Sequence, residues 1–470
     1  MRRLKLVALT FAAALLPAHD ASGAVVSTSG AVTGAIRALT FSGDALVVAR
    51  QPTGRALRIE LRRPGRTPAL LLLTDADDPN AKVAVASSAQ ALAVGLREDD
   101  EIAGQSRVWI GPPAGPLREV ASCSRSFAAP AVAVDGPRVA WSDGGCAGPT
   151  GRPFEVGPAS IAFGDVDPAV AVRRTPVPKD SLPAGFSLRG DRGLAGVLRP
   201  TFFGATGDVR PFGPDGLGEA LENEPGGALV PVGTLPDGTT AIARGAASSE
   251  DFGFDEERPR CRADVLLLAP GSTTRRKLQT GGCLVDSELA GQVDATVAGD
   301  RVVSRVAPLD RRREFDDFGR PRPVSITSVR ADGSGLQTIV SGTYRGPRGL
   351  AADGARIGWW QRRCAGGDQL VVADGPAGAL RACTAELVTR RARLRDGRIS
   401  VQLRCPLGCT GRIVDDTRCG PKALRRFALA PGTRRLGLPV PRRSRSRGRV
   451  LLRVEVDGGP TRHAAVRLRR

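Results

Sequence analysis

Histidine, the commonest general base, occurs only at positions 19 and 463 of this 470-residue chain. Most of the sequence therefore has no imidazole to activate a serine or cysteine or to ligate a transition metal. A Gly-x-Ser-x-Gly nucleophile turn is absent as well. Chemistry is left to carboxylates and thiols. Acids and phenylalanines cluster in "SSEDFGFDEERPR" (248–260) and "DRRREFDDFGRPR" (310–322). From these stretches Asp251, Phe252, Phe254, Asp255, Glu256, Glu314, Phe315, Asp316 and Asp317 are the candidate binding residues. Such a patch would suit a cation, a basic partner or the chain's own arginine-rich tail; the plainer alternative is a solvated insertion whose arginines neutralise its acids. "DADDPN" (75–80) lacks the spacing and glycine of an EF-hand loop. No metal site and no cofactor is expected.

The nine cysteines fit an oxidising compartment, and their odd number leaves one thiol free or paired with another chain. No Cys-x-x-Cys pair occurs, which argues against thiolate metal sites.

The elements that must position these residues repeat. "AVAVDGPRVAWSDGGC" (131–146) returns as "GLAADGARIGWWQRRC" (349–364): an apolar run, a small polar turn, a second run ending in tryptophan, and a cysteine. Seven such hairpins are recognisable, turning at Gly43, Ala89, Gly136, Gly190, Gly238, Gly299 and Gly354 with spacings of 46 to 61 residues. The runs are short and rich in Val, Leu and Ala, without helical spacing, and read as strands. Second hairpins turn at Pro64-Gly65, Pro270-Gly271 and Asp332-Gly333. Two hairpins per unit make a four-stranded sheet, and radial repetition of such sheets makes an all-β propeller. A stack of β-sandwiches is the alternative architecture; the absence of linkers between copies counts against it.

"VRADGSGLQTIV" (329–340) resembles the outer hairpin of TolB-like propeller repeats, and "TLPDGTTAIA" (234–243) their inner hairpin, with Leu235 where serine is usual. The resemblance covers roughly 25–383, weakens in the first, second and fourth units, and leaves the blade number between six and eight. It implies a propeller that engages proteins. In such a blade the loop after the second strand and the connection after the fourth lie on one face. Cys123, Cys146, Cys261, Cys283, Cys364 and Cys383 all map there, and three disulfides are expected: 123–146, 261–283 and 364–383, the last two each bracketing an outer hairpin. Cys405, Cys409 and Cys419 leave their pairing open.

The ends differ in texture. Residues 1–24 have the basic, apolar and small-residue pattern of a secretory signal peptide. From 384 to 470, 23 Lys or Arg face 6 Asp or Glu, with period-two alternation that predicts a small Ig-like β-sandwich. This part is similar to basic modules with a Cys-Pro-x-x-Cys motif in secreted actinobacterial proteins. The expected protein is monomeric and lies outside the cytoplasm, secreted or at the cell envelope. It is a non-enzymatic propeller that binds an unidentified protein or acts as a scaffold, its basic module contacting anionic cell-wall polymer or a membrane surface. Nucleic acid is the weaker partner, because aromatics are sparse. The alternative is a hydrolase or lyase using channel-facing carboxylates; a serine peptidase would need a second, catalytic domain.

Overall fold

The computed structural model describes residues 26–469 apart from 29–31, 53–55, 77–80, 99–103, 127–129, 147–156, 202–203, 225–226, 247–263, 273, 285–293, 308–322, 344–345 and 417–421. Seven antiparallel sheets follow one another along the chain, each built on a sequential meander of strands. Their first strands are Ala35–Ser42, Lys82–Ser87, Val132–Asp135, Leu182–Arg189, Gly227–Thr234, Ala295–Ala298 and Arg348–Asp353. Five of the opening hairpins use two-residue turns, at 43–44, 136–137, 190–191, 299–300 and 354–355. Each begins on a glycine with φ between +56° and +61°, the left-handed geometry that tight hairpins need. The outer hairpins turn where proline-glycine and aspartate-glycine signals lie, between Arg62 and Ala69, Leu268 and Arg275, and Arg330 and Gln337.

The sheets form a ring. Each first strand touches the first strands of the sheets before and after it, and the strand at 348–353 touches that at 35–42. Apolar clusters fill every junction, including the last. Leu39, Phe41 and Val48 of the first sheet pack with Ala351, Trp360 and Leu370 of the seventh. Fully buried Trp141 lies between the second and third sheets and Trp359 between the sixth and seventh. All-β, propeller-like architecture follows from this cyclic packing, since each sheet buries both faces against neighbours.

The seventh sheet departs from the expected outline. Its outermost strand is not a continuation of 368–373 but the N-terminal Val26–Thr28, whose residues pair with Ala373, Val372 and Val371. The freed segment turns back instead, and Gly378–Ala379 pairs in parallel with Val340–Ser341 of the sixth sheet. Cys364 and Cys383 therefore do not bracket an outer hairpin of one blade, as the sequence predicts. They are nonetheless joined, and both sit in the apolar core of the C-terminal region. The fourth sheet also differs, because two short pieces, Gly216–Leu217 and Glu222–Glu224, share its outer edge.

From Glu386 onward a three-stranded and a five-stranded sheet enclose one core of Ile399, Val401, Leu403, Ile413, Leu438, Leu452, Val454 and Val466. The backbone N–H of Cys383 donates to the Gly458 carbonyl at 2.9 Å. A side chain on Gly408 would lie 2.8 Å from the Ala365 Cβ. The loop after the second strand of the seventh sheet is thus packed directly on this core.

Packing inside the seventh sheet yields a paired test. At Gly349 (φ +58°) an added Cβ would lie 1.7 Å from the Trp360 ring, whereas at Gly354, also at φ +58°, it would meet nothing within 4 Å. Gly354→Ala should therefore cost only the left-handed backbone strain, about 1–2 kcal/mol. Gly349→Ala adds a clash in the core and should cost at least ~1–3 kcal/mol more. Urea denaturation of both variants measures the difference.

Candidate functional site

The candidate binding residues Asp251, Phe252, Phe254, Asp255, Glu256, Glu314, Phe315, Asp316 and Asp317 lie outside the described residues. So do Cys261, and with it the expected Cys261–Cys283 pair, and Cys419. The described geometry instead defines a channel wall and its two mouths.

The wall is made by the seven first strands. Their half-buried positions are mostly small residues such as Thr40, Ala84, Ala86 and Thr296, with Arg37, Lys82, Leu188 and Leu350 among them; Ala38, Val132, Val134, Ala184, Val232 and Ala352 also pack against the junction clusters. Bulges interrupt four of these strands, at Arg37, Ala184, Val232 and the pair Gly349-Leu350. Among the described residues the first strands carry carboxylates only at their turn ends, Asp135 and Asp353. Both are engaged. Asp135 accepts the Gly190 N–H at 2.6 Å, and Asp353 pairs with Arg356.

At this turn-side mouth, side chains fasten each sheet to the next. The Ser42 hydroxyl donates to the Ser88 carbonyl at 2.8 Å, and the Ser88 hydroxyl to the Gly136 carbonyl at 2.5 Å. The Ser187 and Thr234 hydroxyls share a 2.7 Å bond, and Arg356 donates to the Gly43 carbonyl at 2.7 Å across the first and seventh sheets. Such bonds fix one rotational register of neighbouring sheets, because each removed partner would leave a half-buried acceptor unsatisfied.

The opposite mouth is held by arginines at the ends of second strands. Arg50 contacts Glu60 at 2.5 Å and donates to the Thr33 carbonyl at 2.9 Å. Arg97 donates to the Ser126 carbonyl at 3.0 Å, and Arg244 lies 2.7 Å from Asp264, which also meets Lys277 at 2.7 Å. Arg305 contacts Asp294, just ahead of the sixth first strand, at 2.5 Å and reaches the Pro347 carbonyl of the next sheet at 3.3 Å. The sequence reading missed these arginine contacts; "ARQ", "LRE", "ARG" and "SRV" at the ends of apolar runs carry the signal. Burial alone would raise the Glu60 carboxyl, but Arg50 and Arg62 outweigh it and hold it below its ordinary value. At Asp294 burial wins, and its pKa is raised despite Arg305.

Cys146 and Cys364 follow second-strand ends on the same side. Cys123–Cys146 ties the outer strand of the second sheet to the loop after the second strand of the third. Cys364–Cys383 anchors the C-terminal core, and Cys405–Cys409 closes within it. His463 pairs with Asp416 at 2.9 Å in the C-terminal region. Among the described residues no group of three or more His, Cys, Asp or Glu could hold a metal ion. No described helix is long and apolar enough to cross a membrane.

No protein-family model and no curated protein matches the chain. Solved structures do. The β-propeller domain of the Trilobed protease from Pyrococcus furiosus is 10% identical with a TM-score of 0.46, over 73% of this chain and 96% of that one. Pyrococcus horikoshii acylaminoacyl peptidase is 9% identical (TM-score 0.46; 78% of this chain and 57% of that one). A Mycobacterium tuberculosis puromycin-hydrolyzing peptidase is 13% identical (TM-score 0.44; 79% and 58%). The chain spans somewhat over half the length of these two peptidases. Each of the three is a peptidase or a peptidase's propeller. Against these peptidase neighbours the expectation of a protein-binding or scaffold role is corrected, and the hydrolase-related alternative is carried forward.

The Asp294 pair yields a pH prediction. A carboxyl whose folded pKa is raised binds its proton more tightly in the native state, so stability falls as pH rises from the ordinary aspartate range through the raised value. Asp294→Asn, which cannot titrate, should abolish that part of the slope in urea denaturation run from pH 3.5 upward. An unchanged slope would remove Asp294 as its source.

Proposed function

We propose that the chain is the substrate-handling propeller of a hydrolytic system, exported to an oxidising compartment. In this reading residues 25–383 form a TolB-like ring and residues 384–470 a basic Ig-like module. The observation that carries it is the channel wall. In this reading the small Ala, Val and Thr side chains of the wall admit a slender, unfolded substrate segment, and between the turn-side and arginine-held mouths the described first strands present no nucleophile-base pair. Bond cleavage then belongs to a centre outside the seven first strands, with the ring selecting what reaches it. The peptidase propellers among the similar structures agree with a hydrolase-related role, and the three disulfides support a chain folded outside the cytoplasm.

One observation keeps a second reading in view. Asp135 and Asp353 stand at the same mouth, as a carboxylate-using hydrolase or lyase would require. A single experiment separates the two. Ala86→Cys on the wall and Leu73→Cys on an outer strand, each carrying a benzophenone, are irradiated with an unfolded peptide, and peptide and glycan turnover is followed in parallel. Capture from position 86 but not 73, with no turnover, is the expected result. Absence of capture at both positions would overturn the substrate-handling reading. Turnover abolished by Asp353→Asn or Asp135→Asn would transfer the assignment to the carboxylate mechanism.

A further inference from the structure

Five arginines meet on the outward face of the five-stranded C-terminal sheet. The parallel pairing of Arg391–Arg393 with Arg462–Arg469 sets Arg391 opposite Arg467 and Arg393 opposite Arg469. The antiparallel pairing of Arg449–Val456 with the same strand sets Arg449 opposite Arg467. One row, Arg391–Arg467–Arg449, therefore crosses three adjacent strands at about 4.8 Å per step. A second row, Arg393–Arg469, lies two residues along, at ~7 Å. Ala392, Val450, Leu452 and Val466 alternate with these positions and are buried, which fixes the arginines on the outer face. All five are exposed.

Among the described residues none of the five has a carboxylate partner, although ion pairs are made close by. Arg404 pairs with Glu386, Arg412 with Glu455, and Arg453 with Glu455 and Asp416. On the facing three-stranded sheet, outward positions are diluted by Ser400, Gln402 and Gly437, and Arg425 of the five-stranded sheet donates to the Gly437 carbonyl at 2.9 Å. Like charges directly opposite on one sheet face are destabilising. An arginine-rich composition supplies the residues, but the register is what lines them up.

We propose that this face binds a linear phosphate polyanion that carries no bases. Guanidinium forks recognise phosphate oxygens in pairs, and two parallel rows match an extended ligand better than a single ion. Among the described residues the face offers no Phe, Tyr or Trp on which bases could stack, and His463 is held by Asp416. Its large exposed apolar side chain is Leu451, too little to enter a bilayer interface, so a lipid surface fits less well. This surface stands independently of the hydrolase-related reading of the ring.

The test uses the full chain and a fluorescent glycerol-phosphate oligomer, with an oligothymidylate of equal charge and phosphatidylserine vesicles as comparators, at low and high salt. The triple variant Arg391→Gln/Arg449→Gln/Arg467→Gln is set against Arg398→Gln/Arg434→Gln/Arg435→Gln, which removes the same charge elsewhere on the module. The first triple should lose at least about tenfold in affinity and lower the salt slope by roughly 2–3, near the value for three phosphate contacts. Its thermal midpoint should hold or rise, because mutual repulsion is relieved. The second triple should lose less than about threefold. Equal losses in both triples would reduce the effect to bulk charge and overturn the proposal. Tighter binding of the vesicles or of the oligothymidylate, or a fall in the thermal midpoint of the first triple, would overturn it as well.

Discussion

Closure of the ring is the constraint on which everything else depends. A single four-stranded sheet of this kind has two apolar faces and cannot bury either alone. Seven of them succeed only if the last packs on the first, as Leu39, Phe41 and Val48 do against Ala351, Trp360 and Leu370. The N-terminal Val26–Thr28 completes that junction by supplying the outer strand of the seventh sheet. Pairing residues about 345 positions apart carries a loop-closure entropy that grows only slowly with length, and the reward is a ring without an open seam.

That solution has consequences at both mouths. On the turn side, hydroxyl and arginine contacts such as Ser88 to Gly136 and Arg356 to Gly43 hold neighbouring sheets in one register. On the other side, arginines at second-strand ends tie strands within their own sheets, while Arg305 and the Cys123–Cys146 disulfide reach across to a neighbouring sheet. Because N-terminal residues occupy the seventh outer edge, the segment after Ala373 is released to pair with the sixth sheet and then to carry Cys383 into the C-terminal core. One topological choice thus links ring closure to the seating of the basic module.

The local parts of this design were legible. Gly43, Gly136, Gly190, Gly299 and Gly354 announce tight turns because only glycine takes their positive φ without strain, and the repeat of those turns gives the sheets. The tryptophans that end the repeated runs, Trp141 and Trp359, are both fully buried. What escaped was non-local. Three residues, Val26–Thr28, carry no periodicity that could reveal a strand, and nothing near Gly378 signals a parallel pairing with a different sheet. The arginine pairs escaped for another reason: a charged residue closing an apolar run reads as solvated unless its partner is known. The acidic, phenylalanine-bearing loops were conspicuous in sequence, but the channel wall was not, since alanine and valine look like ordinary strand residues until the topology turns one face inward.

The claim that Val26–Thr28 closes the ring can be tested by crosslinking Ser27→Cys to Val372→Cys, which are partners in the register, and locating the product by peptide mass mapping. The closed ring predicts an efficient intramolecular crosslink that raises the urea midpoint. Cysteines that react only between molecules, or that crosslink without changing the unfolding midpoint, would contradict it.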